Sequence, residues 1–365
     1  LDKMYHLHKW AGITATGLVV AHYLLKLAKS PMLTLFAEPE KGQRIKTFLE
    51  VFRHPAKDLG EWSFWILIIM ILLALWHRFP YHIWRYAHKA LAVLYLVVVF
   101  HGIVLTPAEW WLQPAGVLLA IASILGSYCA YLSLTGGIGR ENTHTGKVLA
   151  IRELLAGTFE MVCQLDRSWR HRPGQFAFVT FDRLEGPHPF TIASADQKDG
   201  QLRFAIKDLG DYTKKLEQRI RIGQPVRVEG PYGCFDTPTP EDGHQQFWIA
   251  AGIGVTPFIA WLEGLQDEPA SAPNVSLYYC VNNEQEAVFA QRLEQLCEHL
   301  PNIRLHIHLS ERDGHLTADQ LFAGADKDAR VWFCGPTAFS DSLKEGMQRL
   351  GMDPANLHQE LFQMR

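Results

Sequence analysis

Four histidines stand at spacings that suit iron ligation. His8 and His22 are 14 residues apart, and His88 and His101 are 13 apart. Fourteen residues rise about 21 Å along an α-helix and return to within roughly 40° of the same face. On two helices running the same way, His8 faces His88 and His22 faces His101. Two imidazoles facing each other across an interhelical gap are what a bis-imidazole haem iron needs, so the two levels predict two haem b groups at different depths. Thirteen residues turn an ideal helix by about 220°, so a bend, a tilt or an offset has to bring His88 and His101 to one side.

The elements that must position these histidines are apolar. Four runs, Trp10 to Ala28, Trp62 to Trp76, His88 to Leu105 and Pro114 to Leu134, are long enough or nearly so to cross a bilayer as helices. His22 and His101 sit inside such runs with no acidic neighbour, and an ionisable group at membrane depth is costly enough to need a partner. Arg78 and Arg85 lie between the second and third runs and Lys89 at the start of the third, and Thr106 to Gln113 holds no Lys or Arg. That asymmetry predicts a multi-pass protein of the inner or plasma membrane with everything after Leu134 in the cytoplasm. The loop from Lys29 to Glu61 then falls outside.

Composition agrees with a split chain. Among 365 residues, hydrophobic types make up 48% and charged types 20%, with a net charge of -3. A nucleic-acid binder would carry a strong basic excess, and a disordered chain would lack this apolar content. The mean hydropathy of -0.03 averages an apolar first third with a remainder that alternates like a soluble protein. Six scattered cysteines contain no CxxC pair, which argues against a zinc ribbon or a cysteine-ligated cluster.

From Gly146 to about Gly233 short alternating strands punctuated by Gly and Pro predict a small antiparallel β-barrel. After Gln245 strands and helices alternate, predicting a parallel, Rossmann-like α/β domain. A barrel followed by a nucleotide-binding domain suggests a flavin reductase module. The expected domains are residues 1–136, 143–240 and 244–365. Gly252 and Gly254, directly after the strand FWIAA and before Thr256 and Pro257, would let a dinucleotide approach the backbone at a helix N-terminus. Ser310 and Arg312, after the strand RLHIHL, are candidates for a 2′-phosphate, which points to NADPH with NADH left open.

His188, Pro189, Phe190 and Thr191, with Ser194 three residues on, follow a Pro-Gly-Gln-Phe turn at Pro173. With the histidine pairs, Gly210-Asp211-Tyr212-Thr213, Gly230-Pro231-Tyr232-Gly233, the Gly252–Pro257 turn, Cys334-Gly335-Pro336 and a C-terminal aromatic, the chain resembles the ferric reductase and NADPH oxidase superfamily over nearly its whole length. The resemblance implies that Phe190 and Thr191 lie along the FAD isoalloxazine and ribityl chain, with His188 near that chain or its phosphates. Gly210 and Thr213 would hold the pyrophosphate, or simply cap a helix. Cys334, Gly335 and Pro336 would border the nicotinamide, or Cys334 would be a buried core residue. Phe362 would cover the flavin, or finish the core.

The implied activity is electron transfer from cytosolic NAD(P)H through FAD and the two haems to an acceptor across the bilayer. No acid–base residue is needed, because the cofactors carry the chemistry. A ferric chelate is the leading acceptor, and dioxygen reduced to superoxide is the alternative. Two other readings are a haem subunit serving a periplasmic partner and a flavin reductase on a non-haem anchor. The family's membrane domain has six helices with the histidines on the third and fifth. Here they fall on the first and third of four, and residue 1 is Leu, which predicts that two N-terminal helices are missing.

Overall fold

The computed structural model describes residues 2–35, 48–76, 81–182, 185–210, 212–238 and 244–360. Two compact units divide the chain. One holds Leu7–Arg140, and the other holds Leu1–His6 with Glu141–Arg365.

The first unit is helical: α1 (Asp2–Leu35), α2 (Arg53–Leu75), α3 (Tyr81–Leu105) and α4 (Pro114–Thr135). All four are long and apolar enough to span a bilayer. Large apolar side chains point outward, including Leu18, Leu72 and Ile124. In a water-soluble bundle such a surface would be unfavourable, whereas hydrocarbon solvates it. Two boundaries differ from the sequence reading. Helix α1 runs on to Leu35 and α2 begins at Arg53, so much of the expected loop from Lys29 to Glu61 is helix. Arg53, Lys57, Asp58 and Glu61 explain the disguise at α2, and Glu61 forms an ion pair with Lys26 of α1 at 2.7 Å. Their charges broke the apolar pattern without breaking the helices.

Helix α3 packs against α4 through Gly126, where an added Cβ would collide with the Tyr95 ring. The Tyr95 hydroxyl donates to the Ala122 carbonyl at 2.7 Å, one turn earlier on α4. A small residue here lets the two backbones approach, as is usual between helices in lipid.

The second unit contains two sheets. Strands β1 (Thr143–Glu153), β2 (Thr158–Gln164), β3 (Phe176–Thr180), β4 (His188–Thr191), β5 (Gln201–Lys207) and β6 (Pro225–Tyr232) form an antiparallel sheet in the order β4-β3-β6-β1-β2-β5. The expected barrel is not closed. Its edge strands meet only past the end of β4, through an isolated bridge between Ile192 and Phe204 and a bond from the Ala193 amide to the Arg203 carbonyl. The curl still encloses a core of alternating inward residues, among them Val148, Phe159, Met161, Phe204 and Val228.

Strands β7 (Gln246–Ala251), β8 (Val275–Val281), β9 (Ile303–Leu309), β10 (Arg330–Cys334) and β11 (Leu357–Glu360) form a parallel sheet ordered β11-β10-β7-β8-β9. Helices cover both faces. A short α5 (Leu216–Arg219) precedes β6, and α8 (Ser310–Asp313) and α9 (Ala318–Phe322) lie between β9 and β10. Phe258 and Trp261 of α6 (Thr256–Gly264) and Leu293 of α7 (Ala290–Glu298) pack on one face, and Leu343 and Met347 of α10 (Thr337–Arg349) on the other. From β7 the chain winds outward to β8 and β9, then returns to place β10 on β7's other side. The strand order therefore reverses between β7 and β10, where an open α/β sheet leaves a crevice for a ligand.

Gly126→Val should separate α3 from α4. Overpacking costs about 1–3 kcal/mol, so the thermal midpoint in detergent should fall by several degrees. Leu118→Ala, at an exposed position of the same helix, should leave the midpoint nearly unchanged.

Candidate functional site

Both histidine pairs form within the helical unit. The rings of His8 and His88 lie 5.9 Å apart between centroids, and those of His22 and His101 lie 6.5 Å apart. A metal bound midway between two imidazoles needs a centroid separation of about 6 Å, from bonds of about 2 Å and a further ~1 Å from each nitrogen to its ring centre. Cβ atoms built on Gly12 and Gly17 of α1 and on Gly102 of α3 would meet nothing within 4 Å. Among the described residues no group of three or more His, Cys, Asp or Glu could hold a metal, so any iron here would rest on imidazole pairs alone.

His101 carries a further mark of a ligand. Its Nδ1 lies 2.7 Å from the Ala56 carbonyl of α2. A carbonyl only accepts, so Nδ1 carries a proton, and Nε2 of the neutral ring would be the nitrogen offered to a metal. A backbone carbonyl behind the ring is the usual support of a metal-binding histidine. Gly60, one turn along α2, makes this possible, because any Cβ there would collide with the imidazole. His88 is instead stacked on Trp84, 4.7 Å away at 25°. Neither Ala56 nor Gly60 stands out in the sequence, since both fall in a stretch that reads as loop.

On the antiparallel sheet, His188, Pro189 and Phe190 form a half-exposed ledge and Thr191 turns inward. His188 stacks on Tyr212 at 3.6 Å and 8°, which ties β4 to the following Gly210 loop. An added Cβ at Gly210 would meet open space. A ledge of ring faces beside an uncovered backbone fits a flat isoalloxazine with a pyrophosphate tail. Two expected contacts are otherwise employed. The Thr213 hydroxyl accepts from the Leu209 and Gly210 amides at 3.0 and 3.1 Å, closing its own turn. The Ser194 hydroxyl is buried and accepts from the Arg203 amide at 3.2 Å.

The parallel sheet opens a cavity of about 760 Å³ at the switch point, lined by Gly252, Gly254, Ser310, Gly335 and Pro336 among others. The two glycines of the turn have different reasons. Gly252, with φ +56° and nothing beside its absent Cβ, leaves the cavity wall open. Gly254 is required by packing, because a Cβ would collide with the Cys334 carbonyl at the end of β10. Thr256 and Pro257 are buried at the start of α6, and the Thr256 hydroxyl donates to the Ile253 carbonyl at 3.2 Å. They shape the turn from behind.

Cys334 is fully buried, and burial followed by the nearby Glu360 carboxylate pushes its thiol well up. Glu360, on β11, is the charged neighbour of Cys334 that the sequence reading missed. Its strand is short and ends the described chain, so no periodic signal marked it. Phe362 lies outside the described residues. Arg312 does not line the cavity. Its guanidinium grips Asp313 with two bonds of 2.7 and 2.9 Å, and that pairing first of all holds the Asp313 carboxyl down at about 2. Ser310 does line it, with its hydroxyl on the Asn282 side chain at 3.2 Å.

Three family models match in chain order: a ferric reductase like transmembrane component over residues 1–99, an FAD-binding domain over 146–236 and an oxidoreductase NAD-binding domain over 248–345. Together they describe a transmembrane component followed by an FAD-binding and an NAD-binding domain. The ferredoxin reductase component of a Rhodococcus rhodochrous 3-ketosteroid-9-alpha-monooxygenase is 30% identical over 212 residues, 56% of this chain and 59% of its own. Respiratory burst oxidase homolog protein E of Arabidopsis thaliana is 28% identical over 211 residues, 49% of this chain and 21% of its own. The chain thus spans less than two thirds of these relatives. A flavohemoglobin from Malassezia yamatoensis aligns with a TM-score of 0.56 at 18% identity, covering 95% of this chain and 98% of its own. The FAD/NAD-binding domain of a Vibrio cholerae nitric oxide dioxygenase aligns at 0.52 and 22%, covering 60% and 98%. At these identities the likeness is one of fold.

Thiol alkylation at pH 8 should report this burial. Cys234 is exposed and should react quickly. Cys163, pushed up to about 12 by burial, and Cys334 should stay unlabelled until the chain is denatured. Labelling of Cys334 in the native protein would contradict the packing of β10 on Gly254.

Proposed function

Starting from a chain with the three-part architecture of the ferric reductase and NADPH oxidase superfamily, we propose that it moves electrons from NAD(P)H through FAD and two b-type haems to an acceptor across the membrane. The observation that carries this reading is the His101 arrangement: paired with His22 at 6.5 Å, and kept protonated at Nδ1 by its bond to the Ala56 carbonyl. A structural histidine inside an apolar helix needs neither an opposed imidazole nor a fixed tautomer.

The bound groups supply the step-down chemistry, in which a nicotinamide gives two electrons together and haem accepts them singly. The residues of this chain bind and orient. Gly252, Gly254, Gly335 and Pro336 would hold the dinucleotide at the crevice, with Ser310 reaching its ribose end. His188, Phe190, Tyr212 and the open Gly210 backbone would hold FAD, with Thr191 and Pro189 fixing the ledge. Cys334 and Glu360 would border the place where the two rings meet. His8 with His88, and His22 with His101, would hold the two irons. The expected domain limits of 1–136, 143–240 and 244–365 remain part of this reading, as does a cytoplasmic place for the flavin and nicotinamide sites.

A ferric chelate is the proposed terminal acceptor and dioxygen the second reading. Respiratory burst oxidase homolog E, among the relatives, favours keeping the latter. Steady turnover with a ferrous-chelating dye, in air and under argon, separates them. Chelate reduction that persists under argon supports the first, and oxygen-dependent superoxide the second.

His22→Ala and Gly60→Ala should each lower haem content from two per chain to about one while FAD content stays constant. Reduced-minus-oxidised spectra with quantified pigment measure this. Ferric chelate reduction should fall at least about tenfold, as expected when one carrier in a series is lost. A spectrum unchanged by either substitution would leave a flavin reductase on a plain membrane anchor.

A further inference from the structure

Four charged side chains between the two sheets of the second unit have no part in the sites above. Glu160 of β2 and Arg203 of β5 lie diagonally on one face of the antiparallel sheet, since Val162 pairs with Arg203 and Glu160 with Ala205. Glu263 lies in the last turn of α6, and Arg292 lies in the first turn of α7. Arg292 binds Glu160 at 2.7 Å and also Glu263. Arg203 binds Glu263 at 2.5 Å and stands 3.8 Å from Glu160. Two carboxylates and two guanidiniums thus alternate in a ring, with side-chain exposures of only 10% to 28%. The Ala195 amide adds a bond to Glu263 at 3.2 Å.

Partly desolvated ion pairs add little net stability, since apolar residues of the same volume usually do as well. What they supply is geometry. A guanidinium is a planar fork that meets a carboxylate in few orientations. This ring also sits at one end of α6, whose other end is the Gly252–Val255 turn that walls the cavity. Seven residues separate Thr256 from Glu263, about 10 Å of stiff helix. A second tie, Lys207 of β5 to Glu286 at 3.0 Å, lies on the cavity wall itself. Two separate attachments stop the parallel sheet from pivoting on the first.

We propose that the Glu160–Arg292–Glu263–Arg203 ring is a positioning device that fixes the Gly252–Val255 dinucleotide turn relative to the flavin ledge. The inference rests on the reading that NAD(P)H reduces FAD in this unit. In that step the nicotinamide loses a hydride, a proton with two electrons, and the flavin gains it. The rate depends steeply on the approach of the two rings, and a displacement of about 1 Å can cost 10²-fold. The four residues touch neither ring. They act through α6.

The test is stopped-flow flavin reduction in the detergent-solubilised full chain. Arg292→Ala should lower the limiting rate at saturating coenzyme at least about tenfold. Coenzyme Kd should stay within about threefold and FAD content should not change. Arg349→Ala, which removes the exposed pair with Asp319 across the parallel sheet's outer helices, serves as the control and should change neither. A structural readout runs beside it. Spin labels at Leu155→Cys and Ala323→Cys, in a chain with Cys129 and Cys234 replaced by Ser, should give a narrow distance distribution that Arg292→Ala broadens. An unchanged limiting rate with a narrow distribution would overturn the proposal, as would a rate loss matched by loss of FAD. If neither NADH nor NADPH reduces the flavin of the unsubstituted chain, the reductase reading itself fails and this inference with it.

Discussion

Close contacts that only a missing side chain permits set the geometry around His101 and around the cavity of the parallel sheet. Gly60 lets the His101 ring lie against α2 and reach the Ala56 carbonyl. Gly254 lets the turn after β7 press on the carbonyl of Cys334. Gly126 lets α4 close on Tyr95. In each case the missing Cβ brings a rigid element within contact of another rigid element, and the functional group is carried on one of them. Close packing of this kind has few alternative arrangements, because interiors are nearly as dense as organic crystals. Groups that pass electrons need fixed separations, and helices and strands in backbone contact hold them better than long side chains do.

The two units meet the cost of charge differently. The helical unit keeps it scarce: Lys26 and Glu61 pair with each other, half exposed, and the histidines face one another. The second unit gathers four charges into one ring in which every guanidinium meets two carboxylates. Either course avoids an unpaired charge in a poor solvent. The difference is in what the pairing does. In the first unit it allows the chain to enter lipid. In the second it fixes one sheet on the other.

Much of this was legible in the residues. The strand-to-helix rhythm after Gln245 predicts the parallel sheet, and β7 to β10 fall where that rhythm places them. The 14- and 13-residue spacings predict the histidine pairs, and the structure forms both despite the rotation of α3. Other features leave no local signal. Arg53, Lys57, Asp58 and Glu61 hide the start of α2, since charges spread over the first turns look like loop in a hydropathy pattern. The open edge of the antiparallel sheet depends on where β4 ends, which periodicity does not fix. The reason for Gly254 is a carbonyl 80 residues away in the chain. Arg312 has the right type for a phosphate contact, but its neighbour Asp313 claims it. Composition reveals what a side chain can do, and only the fold reveals what reaches it first.

Helix α1 shows how the spacing of the imidazole pairs is kept. Helices α2, α3 and α4 pack closely in sequence, through Ala56, Gly60 and Gly126. Among the described residues, no part of the α1 span is buried. It is joined to α2 by larger groups instead: Tyr23 stacks on Phe64 at 4.0 Å, and Lys26 reaches Glu61. Ridges packed into grooves bring helix axes to about 8–10 Å, which leaves nothing between facing backbones but interlocked side chains. Bulky aromatic and ionic bridges on one side of α1 act as spacers against that collapse. The helix that carries His8 and His22 is therefore held at a distance set by side-chain length, and the helix that carries His88 and His101 is held by contact. One fixed wall and one spaced wall are what a pair of opposed imidazoles needs to stay opposed without touching.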